Sequence, residues 1–106
     1  MLTKNAAIKY AKKYLVMTKS LDVTIEKAFL FGSYTTNSQT QYSDIDLAII
    51  SKDFTENPLE NWKMVSLANI KYNLVEPHLF TVADYEGNSP FLVEEILKTG
   101  IEIPLP

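Results

Sequence analysis

Apolar runs alternate with polar stretches along the chain, and three of these runs have the length of β-strands. The first extends from Ile25 to Phe31, the second from Ser43 to Ile50 and the third from Asn73 to Thr81. Short apolar runs bounded by turn residues are typical of buried strands. They predict a small sheet at the centre of the protein.

Two other segments have apolar residues at helical spacing. Residues 1–20 combine this spacing with five lysines and no acidic residue, which predicts an amphipathic helix with a lysine-rich outer face. The segment from Leu59 to Tyr72, preceded by Pro58, predicts a second helix. Its apolar content comes from Trp62, Leu67, Ile70 and Tyr72. Aromatic side chains at helical positions are assigned to the core, namely Tyr10, Tyr14 and Trp62.

Turn residues mark the remaining connections. The segment from Gly32 to Asn37 predicts a tight turn with one helical turn, and a mobile polar loop follows from Gln39 to Tyr42. The turn from Gly87 to Pro90 predicts the start of a last helix, which runs through Lys98 and ends at Gly100.

The order of these elements predicts an α/β (α+β) fold, in which a small mixed β-sheet packs against helices. A brief extended segment from Ile101 to Pro104 completes it. The chain has 106 residues, of which 46% are hydrophobic, enough for a core of its own. We therefore expect one domain over residues 1–106.

Charge is unevenly distributed along the chain. The net charge is −3, all ten basic residues are lysines, and the thirteen acidic residues all follow residue 20. This acidity and the absence of arginine argue against a nucleic-acid-binding protein. Without cysteine the chain has no disulfide and no thiolate site. It has no apolar segment typical of a membrane span or signal peptide, so we expect a cytoplasmic protein without a membrane partner.

Two aspartates open the second predicted strand. Asp44 and Asp46 are separated by one residue, so in a strand they project from one face while Ile45 and Leu47 pack on the other. Adjacent carboxylates repel each other, and no lysine lies within five residues of either. A hard cation such as Mg²⁺ would supply the missing positive charge. For an Asp-x-Asp motif taken alone, the simpler interpretation is that Asp44 is a turn or cap residue and Asp46 a solvated strand residue.

A Gly-Ser pair follows directly after the first predicted strand. The apolar run from Ala28 to Phe31 stops at Gly32, where the absence of a side chain lets the backbone approach a ligand closely. Ser33 adds a hydroxyl and an N–H that suit an anion. Taken alone, the pair also fits an ordinary turn with a serine cap. Together with the two aspartates, it indicates a nucleotidyl-transfer site.

The two motifs together resemble a known family. The segments from Leu30 to Tyr34 and from Ser43 to Ile50 resemble the DNA polymerase beta-like nucleotidyltransferase superfamily. Within it, the short chain is similar to the minimal nucleotidyltransferase (MNT) domain, whose members often form toxin–antitoxin pairs with HEPN-domain ribonucleases. The similarity is strong from Ala28 to Ile50 and depends on element order elsewhere.

The resemblance also implies a third carboxylate on a neighbouring strand. We assign it to Glu76, the only later acidic residue within an apolar strand-like run, although the family more often has aspartate there. An exposed residue on an edge strand, beside Pro77, is the alternative. His78, the only histidine of the chain, would share a strand face with Glu76. Because a single histidine near a strand end is more often a surface residue, we leave it out of the site.

The resemblance assigns a role to each of these residues. Gly32 and Ser33 would hold the terminal phosphates of ATP or another nucleoside triphosphate. The catalytic and metal-binding carboxylates would bind Mg²⁺, and they are Asp44, Asp46 and Glu76. Glu76 would also help to deprotonate the attacking hydroxyl. The implied reaction transfers AMP from ATP to a hydroxyl group, and the implied acceptor is a tyrosine of a partner HEPN toxin. The protein would form a homo- or hetero-oligomer.

The sequence departs from the family pattern directly after the Gly-Ser pair. The family has a basic residue where this chain has Thr36, and a glycine where it has Asn37. Arginine, which can bind a phosphate with two parallel hydrogen bonds, is absent from the chain, and lysine binds phosphate only as a point charge. Phosphate binding here therefore depends more on the metal and the backbone. A degenerate domain that neutralises a helical partner by binding alone is therefore an alternative. Transfer to a small-molecule hydroxyl is a third possibility, disfavoured because such enzymes usually add a second domain.

Overall fold

A mixed β-sheet forms the centre of the computed structural model, which describes residues 2–36, 38–40 and 43–106. The strands of this described part are β1 (Ile25–Phe31), β2 (Ile45–Ser51), β3 (Val75–Phe80) and β4 (Ile101–Glu102). Their order across the sheet is β3-β2-β1-β4. β2 pairs antiparallel with β1 and parallel with β3, while β4 pairs antiparallel with β1.

Two long helices cover one face of the sheet. α1 (Lys4–Ser20) begins after Thr3, whose hydroxyl accepts a backbone hydrogen bond from the first turn. α2 (Pro58–Lys71) begins after Asn57, whose side chain does the same. The lysines of α1 face solvent, as the sequence predicts. The main core between α1, α2 and the sheet includes Ala7, Ala11, Tyr14, Leu15, Leu30, Leu47, Ile49, Val65 and Ala68.

A second, smaller core lies on the opposite face of the sheet. Its residues alternate along β1 and β2 with those of the main core, because successive strand side chains point to opposite faces. Two short helical segments with wide turns, Asp84–Asn88 and Leu92–Ile96, follow β3, and the second of them covers this core. The buried members are Phe29, Phe31, Ala48, Ile50, Leu92 and Ile96.

Hydrogen bonds from both long helices fix the start of β3. The hydroxyl of the buried Tyr14 donates to Asn69 Oδ1, and Asn69 Nδ2 donates to the carbonyl of Val75 at 2.8 Å. The N–H of Leu74 donates to the Tyr10 hydroxyl at 3.3 Å. Burial raises the pKa of Tyr14 above its ordinary value. The network sets the position of the strand that carries the third predicted carboxylate.

The predicted fold class is confirmed, since the sheet is mixed and packs against helices. β1 has the predicted bounds, and the extended segment near the end of the chain is β4. β2 begins at Ile45 rather than Ser43, and this leaves Asp44 just outside the strand. The proposed extent of the domain, residues 1–106, stays a prediction.

The assignment of Trp62 in α2 to the core is wrong. This helix packs through Val65 and Ala68, whereas Trp62, Leu67 and Ile70 are exposed. The reason is that the small or branched residues on the other side of the helix fit closely against the sheet. Of the aromatic residues assigned to the core, Tyr14 is buried and Trp62 is 44% exposed.

The predicted last helix is present, since residues 90–96 are helical and the N–H of Leu92 donates to the Ser89 hydroxyl at 3.3 Å. A further short helical segment, Asp84–Asn88, precedes it and was not predicted. Gly87 has a φ of +123°, a non-helical conformation within this segment. The chain is therefore already helical before the glycine, where the sequence suggested only a turn.

Two further predictions concern the loop and the membrane. Asn37 and part of the polar loop predicted over Gln39–Tyr42 lie outside the described residues. No helix among residues 2–36, 38–40 and 43–106 has the length and apolarity needed to cross a bilayer.

Candidate active site

The turn after β1 contacts an aspartate of β2. Gly32 follows the last residue of β1, and that residue, Phe31, pairs with Asp46 in β2. Gly32 has a φ of +77°, a conformation that favours glycine. A Cβ built on Gly32 would clash with Asp46 Oδ2 and would lie 3.2 Å from Asp46 Cγ. The two sequence motifs are therefore in direct contact.

Asp46 also lies beside the third predicted carboxylate. In the parallel pairing of β2 with β3, Asp46 is the register partner of Glu76. Their side chains lie on the face of the sheet that carries the smaller core, because Ile45 and Leu47 belong to the main core on the other side. The side chain of Asp46 is 23% exposed and that of Glu76 is 56% exposed. The structure brings these two site residues together, as predicted.

His78, which we left out of the site on sequence grounds, lies in the same cluster. Its Nε2 atom lies 3.2 Å from Asp46 Oδ1 and 4.0 Å from Glu76 Oε1. The imidazole packs edge-on against the ring of Phe31, with centroids 4.8 Å apart and planes at 70°. The available signal was its spacing of two residues from Glu76, which places both side chains on one strand face. Register with Asp46 was the information that the sequence lacked.

Asp44 is less closely associated with this cluster. It precedes β2 and is exposed. Among the described residues, the group whose possible ligand atoms all lie within 4.8 Å of one another consists of Asp46, Glu76 and His78. Asp44 is nevertheless near enough for its charge to act on Glu76. The two aspartates of the motif therefore have different surroundings.

The electrostatics of the cluster are dominated by negative charge. Desolvation and the neighbouring carboxylate of Asp46 raise the pKa of Glu76 above its ordinary value, and Asp44 adds to the rise while His78 opposes it. The lysine ion pairs of the described residues involve Glu60, Glu94 and Glu102 instead. A bound cation would relieve the repulsion within the cluster.

The turn that carries Ser33 is a short 3₁₀ helix, Gly32–Tyr34, and Ser33 is half-buried there. Thr35 closes the turn, because its N–H and its hydroxyl donate to the Gly32 carbonyl at 3.0 and 2.8 Å. The exposed Thr36 occupies the position of the basic residue in the family pattern, and its hydroxyl lies 2.8 Å from that of Ser38. The turn is held by its own polar groups.

The donor atoms of the cluster fit a divalent cation. Carboxylate oxygens are the ligands that Mg²⁺ prefers, and it is often held by one or two carboxylates together with substrate phosphates. Asp46 and Glu76 supply such oxygens next to the Gly32 turn. The imidazole of His78 is a third possible ligand, of a type more common for transition metals.

Comparisons with solved structures show the fold. A candidate nucleotidyltransferase from Sulfolobus solfataricus aligns with a TM-score of 0.66 at 19% identity, over 93% of this chain and 80% of the other. A toxin–antitoxin complex with AMP-PNP gives a TM-score of 0.62 at 18% identity, over 90% and 73%. The complex of the tri-AMPylated HEPN toxin of Shewanella oneidensis with MNT antitoxin aligns with a TM-score of 0.56 at 16% identity. The alignment covers 98% of this chain and 74% of the other.

Comparisons of sequence identify the family. No curated protein matches the chain significantly. The family described as "Polymerase beta, Nucleotidyltransferase" matches residues 9–104, which is most of the chain. The resemblance that the two motifs indicated is thereby confirmed. The chain belongs to the polymerase beta nucleotidyltransferase family.

Proposed function

We propose that the chain is a nucleotidyltransferase that moves AMP from ATP to a tyrosine hydroxyl of a HEPN-type toxin, and so acts as an antitoxin. The observation that carries this proposal is the contact between the Gly32 turn and Asp46, with Glu76 as the register partner of Asp46. Because of this contact, a turn with no side chain at Gly32 lies beside two neighbouring carboxylates. The solved neighbours named with AMP-PNP and with an AMPylated HEPN toxin support the choice of nucleotide and acceptor.

The carboxylates would bind the metal in this proposal. Asp46 and Glu76 would hold Mg²⁺ from neighbouring strands, and Asp44 would join them when the nucleotide is present. The ion would neutralise charge on the phosphates during an in-line displacement. The strands keep the carboxylates in place before the substrate arrives, which limits the reorganisation needed.

The protein groups would position the reactants. The Gly32 backbone and the Ser33 hydroxyl would hold the terminal phosphates, since the positive φ of Gly32 exposes backbone without a side chain. The acceptor oxygen would form a bond to the α-phosphorus while the bond to the β-phosphate oxygen breaks and pyrophosphate leaves. Glu76 would take the proton of the acceptor hydroxyl. Atoms and charge balance without any further reactant.

A second candidate function is neutralisation of a helical partner by binding alone. Thr36 favours it, because an uncharged residue occupies the position where the family has a cation. The neighbouring carboxylates of Asp46 and Glu76 oppose it, because a module that acts by binding alone has no need of two repelling carboxylates side by side. We also propose that the protein acts in the cytoplasm, where ATP is available, in a complex with its partner.

The test is transfer of label from α-phosphate-labelled ATP. The chain is incubated with Mg²⁺ and a HEPN-type protein as the candidate acceptor, and labelled peptides are identified by mass spectrometry. We expect label on a tyrosine with the wild type and with Glu56→Gln, an exposed carboxylate outside the cluster, but not with Asp46→Asn. If the wild type inhibits the partner without labelling it, and Asp46→Asn inhibits equally well, the binding function replaces the enzymatic one.

A further inference from the structure

The imidazole of His78 is directed at both carboxylates of the candidate metal site. Its Nε2 atom lies 3.2 Å from Asp46 Oδ1 and 4.0 Å from Glu76 Oε1. The side chain is 28% exposed, so most of it is packed. An imidazole nitrogen beside two carboxylate oxygens forms a mixed set of ligands.

We propose that His78 is a metal ligand through Nε2 and that it gives the site a preference for a first-row transition ion, such as Mn²⁺, over Mg²⁺. The proposal builds on the nucleotidyltransferase function proposed above and concerns the ion of that same site. It assigns a specificity-determining role to a residue that the two sequence motifs do not include.

The distances between the three ligand atoms suit a shared ion. At a metal–ligand distance of about 2.1 Å, neighbouring ligands of an octahedral ion lie about 3.0 Å apart and opposite ligands about 4.2 Å apart. The possible ligand atoms of Asp46, Glu76 and His78 all lie within 4.8 Å of one another. Small side-chain rotations therefore suffice to bring all three atoms to one cation.

The packing of His78 fixes its ring for this role. The ring of Phe31 contacts it edge-on, and Phe31 itself is buried in the smaller core. His78 belongs to β3, beside the central strand that carries Asp46. A ligand on a packed strand is held more firmly than one on a loop, so less conformational entropy is lost when the ion binds.

The chemistry of imidazole determines the expected ion. Imidazole nitrogen binds transition metals well, whereas Mg²⁺ is bound by oxygen ligands and keeps several of its waters. Mn²⁺ binds nitrogen ligands more weakly than the later ions of the series, but it accepts carboxylate and water oxygens as Mg²⁺ does, so it is the transition ion that differs least from Mg²⁺ at this site. If His78 only hydrogen-bonded to Asp46, it would support both ions equally.

The test uses Mn²⁺ and the full chain without a polyhistidine tag. His78 is the only histidine in the sequence, so any coupling of bound Mn²⁺ to imidazole ¹⁴N in pulsed electron paramagnetic resonance must come from it. We expect this coupling in the wild type and its loss in His78→Gln and His78→Asn. Mn²⁺ affinity should fall about tenfold or more in both variants, whereas Mg²⁺ affinity, measured by competition, should change by less than about threefold.

Two results would overturn the ligand role. One is Mn²⁺ bound to the wild type without imidazole coupling, and the other is an equal loss of Mn²⁺ and Mg²⁺ affinity in the variants, as a positioning role predicts. Because the coupling is measured on the wild type, a folding defect of the variants does not affect that result. The proposed enzyme activity is tested separately, by transfer of label from ATP to the partner. That activity can therefore be confirmed even if His78 proves not to be a metal ligand.

Discussion

Gly32 and Asp46 lie in such close contact that a Cβ at residue 32 would clash with Asp46 Oδ2. The contact arises because β1 ends opposite Asp46 in β2, where Gly32 turns the chain with a positive φ. It links the two motifs of the sequence at one point of the sheet. A side chain at residue 32 would disturb both the turn and the carboxylate.

Gly32→Ala should therefore destabilise the protein and weaken metal binding. Alanine at a positive φ costs roughly 1–2 kcal/mol, and the clash with Asp46 adds to this cost. Gly87→Ala is the matched control, since Gly87 also has a positive φ but a Cβ there would have no atom within 4 Å. Urea denaturation and Mn²⁺ titration measure the two effects. Unchanged Mn²⁺ affinity in Gly32→Ala would contradict the role of this contact in positioning Asp46.

Asp46→Asn and Asp44→Asn should differ in their effect on metal alone. Asp46 belongs to the cluster of possible ligands, whereas Asp44 is exposed and precedes β2. We expect Asp46→Asn to abolish Mn²⁺ binding measured without nucleotide, and Asp44→Asn to reduce it severalfold at most. Binding of metal and AMP-PNP together should be lost in both. Identical metal affinities for the two variants would contradict the arrangement described here.

Glu76 should make the stability of the metal-free protein depend on pH. Its pKa is raised in the folded state, so the folded protein holds the proton at pH values where the unfolded chain has released it. Stability should therefore decline as pH rises above 4.5, the ordinary pKa of glutamate. Glu76→Gln should remove this decline and give the higher melting temperature at pH 7, with no difference at about pH 4. Parallel pH profiles for the wild type and Glu76→Gln would refute this, and Glu56→Gln serves as the control.

Asn69→Ala should affect both stability and the site. It leaves the buried Tyr14 hydroxyl without its acceptor and the Val75 carbonyl without its donor, which costs about 1–3 kcal/mol. Tyr14→Phe, the matched variant, removes only the first bond and should cost less. Because Val75 precedes Glu76 in β3, Asn69→Ala should also weaken Mn²⁺ binding. If Asn69→Ala is destabilised but keeps its Mn²⁺ affinity, the hydrogen bonds of Asn69 support the fold and not the metal site.

Thr36→Arg should tighten binding of the triphosphate. Thr36 is exposed and occupies the basic position of the family pattern, so arginine there could reach the phosphates with two parallel hydrogen bonds. We expect severalfold tighter binding of AMP-PNP with Mg²⁺ and unchanged binding of Mn²⁺ alone. Thr36→Gln controls for side-chain length without charge. No gain over Thr36→Gln would mean that another group already supplies the charge.

Much of the fold could be predicted from the sequence because the strands are short, apolar and bounded by turn residues. β1 was predicted at both ends, since Gly32 ends its apolar run. The packing face of α2 was not, because Leu67 and Ile70 are apolar and yet exposed, and only the fit against the sheet decides which stripe is buried. The helical segment Asp84–Asn88 was not predicted, because it is short, contains Gly87 and buries none of its residues, so no apolar helical pattern marks it.

The candidate site could be predicted only where its residues are close in the sequence or belong to the family pattern. Gly32 and Asp46 follow from the motifs, and Glu76 follows from the resemblance. His78 was missed because its closeness to Asp46 depends on the parallel register of β2 and β3, which no local pattern contains. The different surroundings of Asp44 depend on where β2 begins, and strand ends are the least predictable part of an element.

The most direct test of the proposed function is calorimetry of MgATP binding to the full chain, beside the double variant Asp44→Ala, Asp46→Ala. We expect Mg²⁺-dependent binding by the wild type and none by the double variant. The double variant should keep its melting temperature or gain a few degrees, because repelling carboxylates are removed. Absence of MgATP binding by the wild type, or equal binding by the double variant, would contradict a metal-dependent nucleotide site at Asp46.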